Sequence, residues 1–200
     1  MKTQKPSPLL FKLQTLVVDL ALIERNHHLA GQERKENDIE HSFTVAMLSW
    51  SICDRYSLPL DLAKVLKYAL THDFVERYAG DVNAFATKEE RAEKVIREKA
   101  ALQRLSEEFK DFGDLIASME AYETKSDEEA LFVWTVDKMQ AYIMGDLDNW
   151  RPYKKLDLSW KRFIEKHAEQ LAVCSPYCKE IFSELLAYCR TTYYDQPEQS

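Results

Sequence analysis

A chain of 200 residues with 46% hydrophobic and 30% charged residues, but only four glycines and six prolines, has the profile of an all-α globular protein rather than a turn-rich β fold. Its formal net charge of -7 and pI near 5.3 exclude a surface that tracks a nucleic-acid backbone. One cation or metal in a pocket can still hold a small phosphorylated ligand.

Residues 1–8 read as a flexible lead-in, 9–194 as one helical domain, and 195–200 as a flexible tail. Leu9 to Glu24 carries Leu9, Leu13, Leu16, Val17, Leu20 and Ile23 at spacings of three and four, an amphipathic first helix. Its apolar stretch from Leu13 to Ile23 contains Asp19 and is too short to span a bilayer, so no membrane partner is expected. Cys53, Cys174, Cys178 and Cys189 form no Cys-x-x-Cys unit and no leader pattern precedes them, which suits free thiols in the cytoplasm better than a Cys174/Cys178 metal site.

Asn26 to Glu36 is polar and reads as a connecting loop long enough to cover a pocket. Asn37 and Glu40 then form a capping box for a helix to about Tyr56. Ile39, Phe43, Ala46, Met47, Trp50 and Cys53 make one apolar stripe of it, and His41, Val45, Leu48 and Ile52 a second. Two stripes predict a central helix.

Pro59 breaks the chain before the stretch from Lys64 to Asp81, predicted as a helix over 64–79 that stops at Gly80. The stripe Leu62, Val65, Leu66, Ala69, Leu70 continues into His72, Asp73 and Glu76, so three ionisable groups stand where leucines belong. Burial of such groups is costly unless they are paired or hold a metal.

Thr87 and Glu90 cap a charged helix to about Phe109, with Ala92, Val95, Ile96, Leu102, Leu105 and Phe109 as its apolar line. Leu115, Ile116, Met119 and Tyr122 mark a short helix. Ser126 and Glu129 cap the next, which Gly145 closes. There Asp137 shares a face with Ala130, Val133, Trp134 and Ala141, another ionisable group in an apolar position. A polar connector over 146–155 and helices from about Leu158 to Val173 and from Pro176, capped by Ser175, to Tyr194 complete the chain.

His41, His72, Asp73 and Asp137 come from three predicted helices. Two imidazoles and two carboxylates suit one divalent ion such as Mn, Co, Fe, Ni or Zn, with positions left for water or a substrate oxygen. Taken singly, each has a plainer reading: a buried His bonded to a carbonyl, or Asp137 paired with Lys138.

Glu36-Asn37-Asp38-Ile39-Glu40-His41-Ser42, then Thr71-His72-Asp73-Phe74-Val75-Glu76 with Gly80-Asp81, then Ser126 through Asp137-Lys138, resemble the successive motifs of the HD-domain metal-dependent phosphohydrolases. The nearest branch is the compact 5'-deoxynucleotidase type, and the likeness runs from about Leu20 to Met144. The resemblance implies an HD-domain helical bundle, one divalent metal on His41, His72, Asp73 and Asp137, and hydrolysis of a nucleoside 5'-monophosphate. It implies catalytic roles for Glu76 and Asp81, a phosphate-contacting Arg25 with Arg34 as the alternative, and a homodimer. Relatives carry a Trp soon after the upstream Arg, where this chain has Arg25-Asn26-His27-His28. Competing readings are a hydrolase of another phosphoester, a regulatory module that binds metal and nucleotide without turnover, and a helical protein with internal ion pairs.

Overall fold

A computed structural model describes residues 7–80, 88–155 and 160–193 of the chain. The predicted lead-in, apart from Ser7 and Pro8, and the tail lie outside these residues, as do Asp81, the Thr87 cap and Leu158. Helix α1 (Pro8–Ala21) is followed by strands β1 (Glu24–His28) and β2 (Lys35–Asn37), and then by α2 (Asp38–Arg55), α3 (Leu62–Thr71), α4 (Glu76–Ala79) and α5 (Lys88–Glu108). The chain continues through α6 (Gly113–Thr124), α7 (Glu128–Leu147), α8 (Arg151–Lys155), α9 (Trp160–Val173) and α10 (Lys179–Tyr193). The all-α class holds. The expected polar loop folds as a small antiparallel ladder, Glu24 opposite Asn37 and His28 opposite Lys35, because its ends are pinned by α1 and α2. The predicted connector over 146–155 contains the short α8.

The apolar core has two clusters. One gathers Val45 of α2, Val65 and Ala69 of α3, Phe132 and Val136 of α7, and Phe182 of α10. The other joins Leu16 and Leu20 of α1 to Phe74, Leu105, Phe109 and Met119. The central helix is α7, which buries residues on nearly every side, Phe132, Val133, Val136 and Tyr142 among them. Helix α2 is less enclosed than its two stripes predict, since Phe43, Met47 and Trp50 are exposed. Val95 and Ile96 of α5 are exposed too, and only the later part of that helix, Ala101 and Leu105, reaches the core.

Local chemistry sets the boundaries. The Asn37/Glu40 capping box is present, the Asn37 side chain accepting from the Ile39 and Glu40 amides while Glu40 accepts from the Asn37 amide. Asp127, one residue after the predicted Ser126, caps α7 by accepting from the Ala130 amide, and the Ser126 hydroxyl donates back to Ala121. Gly145 does not close α7, which runs on to Leu147. It lies inside the helix because a Cβ there would come within 2.7 Å of the Trp150 ring. At the last helix the Ser175 hydroxyl accepts from the Tyr177 amide, but 176–178 form a turn and α10 starts at Lys179.

The predicted 64–79 helix is two pieces. Helix α3 ends at Thr71, and a turn held by Phe74 N to Thr71 O (3.1 Å) and Glu76 N to Asp73 O (2.9 Å) leads into α4. The His72 side chain explains the break: its Nδ1 donates to the Ala69 carbonyl at 2.9 Å, the acceptor a continuing helix would give to the residue 73 amide. Gly80 ends α4 at a φ of 72°, a conformation glycine adopts freely.

Candidate metal centre

The turn after α3, the first turn of α2 and the middle of α7 meet between the two core clusters, and the misplaced ionisable groups meet with them. Donor atoms of His41, His72 and Asp73 lie within 4.8 Å of one another. Asp73 Oδ2 is 3.1 Å from His72 Nε2 and 3.6 Å from His41 Nε2. Asp137 joins through His41, its Oδ1 3.1 Å from His41 Nε2, while its Oδ2 lies 2.6 Å from Lys138 Nζ. The Lys138 pairing weighed as the plainer reading for Asp137 thus coexists with the cluster.

The set fits a divalent cation on its own chemistry. His72 Nε2 is buried and has no hydrogen-bond partner among the described residues, whereas its Nδ1 is committed to Ala69. With Nδ1 committed to the backbone, Nε2 is the ring atom that faces Asp73, the disposition of a metal-ligating histidine. Glu36, Asp38, Asp73, Glu76 and Asp137 bring five carboxylates to this region, with Arg25, Lys94 and Lys138 among the cations beside them.

The same field shifts the titrating groups. Burial and the Arg25 charge oppose protonation of His41, but its contacts with Asp137 and Glu36 and the Asp73 charge outweigh them and push it up to about 9. Burial would raise the Asp73 and Asp137 carboxyls. The charges of His72 and Arg25 hold Asp73 well below the usual carboxylate range instead, and Lys138 and His41 do so for Asp137.

Arg25 leaves β1 into this group, with Nη1 2.6 Å from Asp73 Oδ2 and 3.3 Å from Asp38 Oδ1. Arg34, the alternative, is spent at the surface in a forked pair with Glu40, at 2.8 and 2.5 Å. Glu76 is buried at the start of α4, with Lys94 Nζ 3.8 Å from its Oε1. Asp81 falls outside the described residues. His27 Nε2 lies 3.0 Å from the Tyr153 hydroxyl and His28 Nδ1 3.9 Å from Asp148, so both tie β1 to the end of α7 and α8. Sequence reasoning gave no role to Glu36, Asp38, Gln140 or Lys94. Gln140 had a signal available, since it sits three residues after Asp137 on one helix face.

An all-α fold whose core is opened by a mixed imidazole and carboxylate centre, able to hold a metal ion, is the class that these elements define. The chain belongs to the HD-domain family, whose model matches residues 19–177. It is 30% identical over 123 residues to the mouse protein named 5'-deoxynucleotidase HDDC2; the match covers 58% of this chain and 60% of that protein, less than two thirds of the relative's length. A crystal structure of a predicted metal-dependent phosphohydrolase from Magnetospirillum magnetotacticum MS-1 superposes with a TM-score of 0.76 at 22% identity, covering 97% of this chain and 100% of that one. A conserved hypothetical protein from Pyrococcus furiosus gives 0.59 at 20% identity, with 88% and 99% covered. At such identities the structural likeness concerns the fold. Among the described residues, no helix is long and apolar enough to cross a membrane.

Proposed function

We propose that the protein is a metal-dependent phosphohydrolase that cleaves the phosphate monoester of a small nucleotide, a ribo- or deoxynucleoside 5'-monophosphate. The observation that carries the reading is the buried cluster of His41, His72 and Asp73, with the unshared Nε2 of His72, inside an HD-domain fold. The name of the mouse relative supports the nucleotide class.

His41, His72, Asp73 and Asp137 would hold one divalent ion. When bound, it supplies Lewis acidity toward a phosphoryl oxygen and lowers the pKa of water. Arg25 contributes a part-buried guanidinium whose geometry matches phosphate oxygens as well as carboxylates. Glu76 accepts the proton of the attacking water as its oxygen bonds to phosphorus. The bond from phosphorus to the ester oxygen breaks, that oxygen takes a proton from solvent water as the nucleoside leaves, and Glu76 returns its proton to solvent. Asp81 is assigned to water or the sugar on the leaving side. The exposed Phe43, Met47 and Trp50 of α2 support a homodimer through that face.

The test is phosphate release from a panel of ribo- and deoxynucleoside monophosphates with Mn, Co, Fe, Ni or Zn. Chelator-sensitive release that is lost in His72→Ala and Asp73→Ala is expected. Full activity in either variant refutes the assignment, turnover of cyclic nucleotides or non-nucleotide esters alone moves it to another phosphoester, and nucleotide binding without release makes the chain a regulatory module.

A further inference from the structure

Behind His41 lies a layer of buried polar groups that the proposed chemistry does not use. Gln140 Oε1 is 3.1 Å from His41 Nδ1, and Gln140 Nε2 donates to Glu36 Oε1 at 2.9 Å. His41, Gln140 and Glu36 are 0, 2 and 1% exposed, and they come from α2, α7 and β2. Glu36 Oε2 also lies 3.7 Å from His41 Nδ1 and 4.0 Å from Arg25 Nε, so one carboxylate stands behind both the imidazole and the guanidinium.

The direction of this chain of bonds follows from its far end. Gln140 turns its NH2 group to Glu36, which leaves its oxygen for His41. The oxygen can only accept in turn, which places a proton on Nδ1. We propose that Gln140 is a positioning residue: braced by Glu36, it fixes the His41 tautomer and ring angle so that Nε2 is the atom offered to a metal beside Asp73 and Asp137. The two histidines of the centre are thus set by different means. A backbone carbonyl orients His72 and no substitution removes it, whereas a side chain orients His41 and can be exchanged.

This proposal rests on the metal-centre reading, and its test needs no turnover. Gln140→Met keeps an unbranched side chain of similar length and removes both hydrogen bonds. In the full-length protein, with folding checked by circular dichroism and melting, it is expected to weaken zinc binding about 10- to 100-fold in competition with a chromogenic chelator. In histidine-labelled protein it should also abolish the slowly exchanging Nδ1 proton signal of His41. Gln140→Glu alone sets two carboxylates face to face and should bind zinc as poorly. The double variant Glu36→Gln, Gln140→Glu reverses the amide and carboxylate and should recover affinity to within about threefold, a rescue that a merely structural role would not produce. A folded Gln140→Met protein with unaltered zinc affinity and an unaltered Nδ1 signal overturns the proposal. If no ester is hydrolysed while zinc affinity follows this pattern, the hydrolase reading fails and the brace stands. If the wild-type chain binds no zinc, the Nδ1 signal of the metal-free protein decides: its loss in Gln140→Met supports the brace and its persistence refutes it.

Discussion

Arg25 Nη1 lies 2.6 Å from Asp73 Oδ2, the same oxygen that stands 3.1 Å from His72 Nε2 and 3.6 Å from His41 Nε2. A guanidinium and a metal ion would therefore draw on one carboxylate oxygen. Under the proposed function, Asp73 would be the hinge between the part of the site that holds a cation and the part that meets a phosphate.

Arg25→Ala tests that sharing. The substitution removes a part-buried positive charge from among Glu36, Asp38 and Asp73, and breaking such a pairing costs about 3 kcal/mol. The loss is expected in urea unfolding of metal-free protein and should shrink when Mn is added, because a divalent ion takes over the neutralisation of Asp73. An equal loss with and without Mn would mean that the two cations do not share the carboxylate. In kinetics the same variant should raise KM for the phosphate ester.

Substitution of Glu76 tests whether proton transfer is separate from metal holding. It is buried at the start of α4, and a second possible donor group of Asp38, Asp73 and Glu76 overlaps the first at Asp73. Glu76→Gln keeps shape and hydrogen-bonding capacity but cannot take a proton. Phosphate release should fall by about 10² to 10⁴, while Mn affinity measured by calorimetry stays within about threefold. A large loss of Mn affinity would instead make Glu76 a ligand.

The histidines and aspartates were legible in the sequence because burial of a charge is conspicuous on an apolar stripe. The phase that turned His72, Asp73 and Glu76 inward held even though the predicted helix broke at Thr71, since a turn with bonds three residues apart keeps neighbouring side chains on nearly the same side. The strands were not legible. Glu24–His28 and Lys35–Asn37 lack apolar alternation, and their pairing is imposed by the helices that anchor their ends. Periodicity misjudged α2 and α5 for a related reason: it shows which residues share a face, not whether another element covers that face, and Phe43, Met47, Val95 and Ile96 remain open. Glu36 and Gln140 stayed hidden because each is ordinary in its own segment and acquires meaning only where β2 and α7 meet behind His41.

His167 gives the fold a dependence on pH away from the metal centre. Its ring packs edge-on against Phe163 and Tyr142, with centroids 3.9 and 4.4 Å away, and burial pushes its pKa from 6.5 down to about 4. The folded state prefers the neutral ring, so this contribution is complete above pH 6.5 and is lost as the pH falls from about 6.5 toward 4. The loss amounts to about 3 kcal/mol at the acid end. Urea unfolding at pH 7.5 and 4.5 should show His167→Leu losing less stability than the wild type between the two. Parallel losses would show that the imidazole is protonated in the folded chain without penalty.

Gly145 reports on how α7 meets the segment behind it. Both Trp150 and Tyr153 press on the helix there: a Cβ on residue 145 would stand 2.7 and 2.8 Å from two carbons of the Trp150 ring and 3.2 Å from Tyr153. Trp150 is only 1% exposed and packs against Tyr153, Phe163 and Tyr193, so the ring has little room to withdraw. In an open helix Gly→Ala would be stabilising by about 1 kcal/mol. Here the overpacking term, about 1–3 kcal/mol, opposes it and should win, because relief requires moving an indole wedged among three aromatic rings. Thermal melting of Gly145→Ala is expected to drop by a few degrees, with about 2–4 °C per kcal/mol for a chain of this size. The double variant Gly145→Ala, Trp150→Leu should lose less than the sum of its parts, since the smaller side chain gives the added methyl its space. A Gly145→Ala protein that melts higher than the wild type would mean that the indole yields freely and that this glycine is not required by close packing.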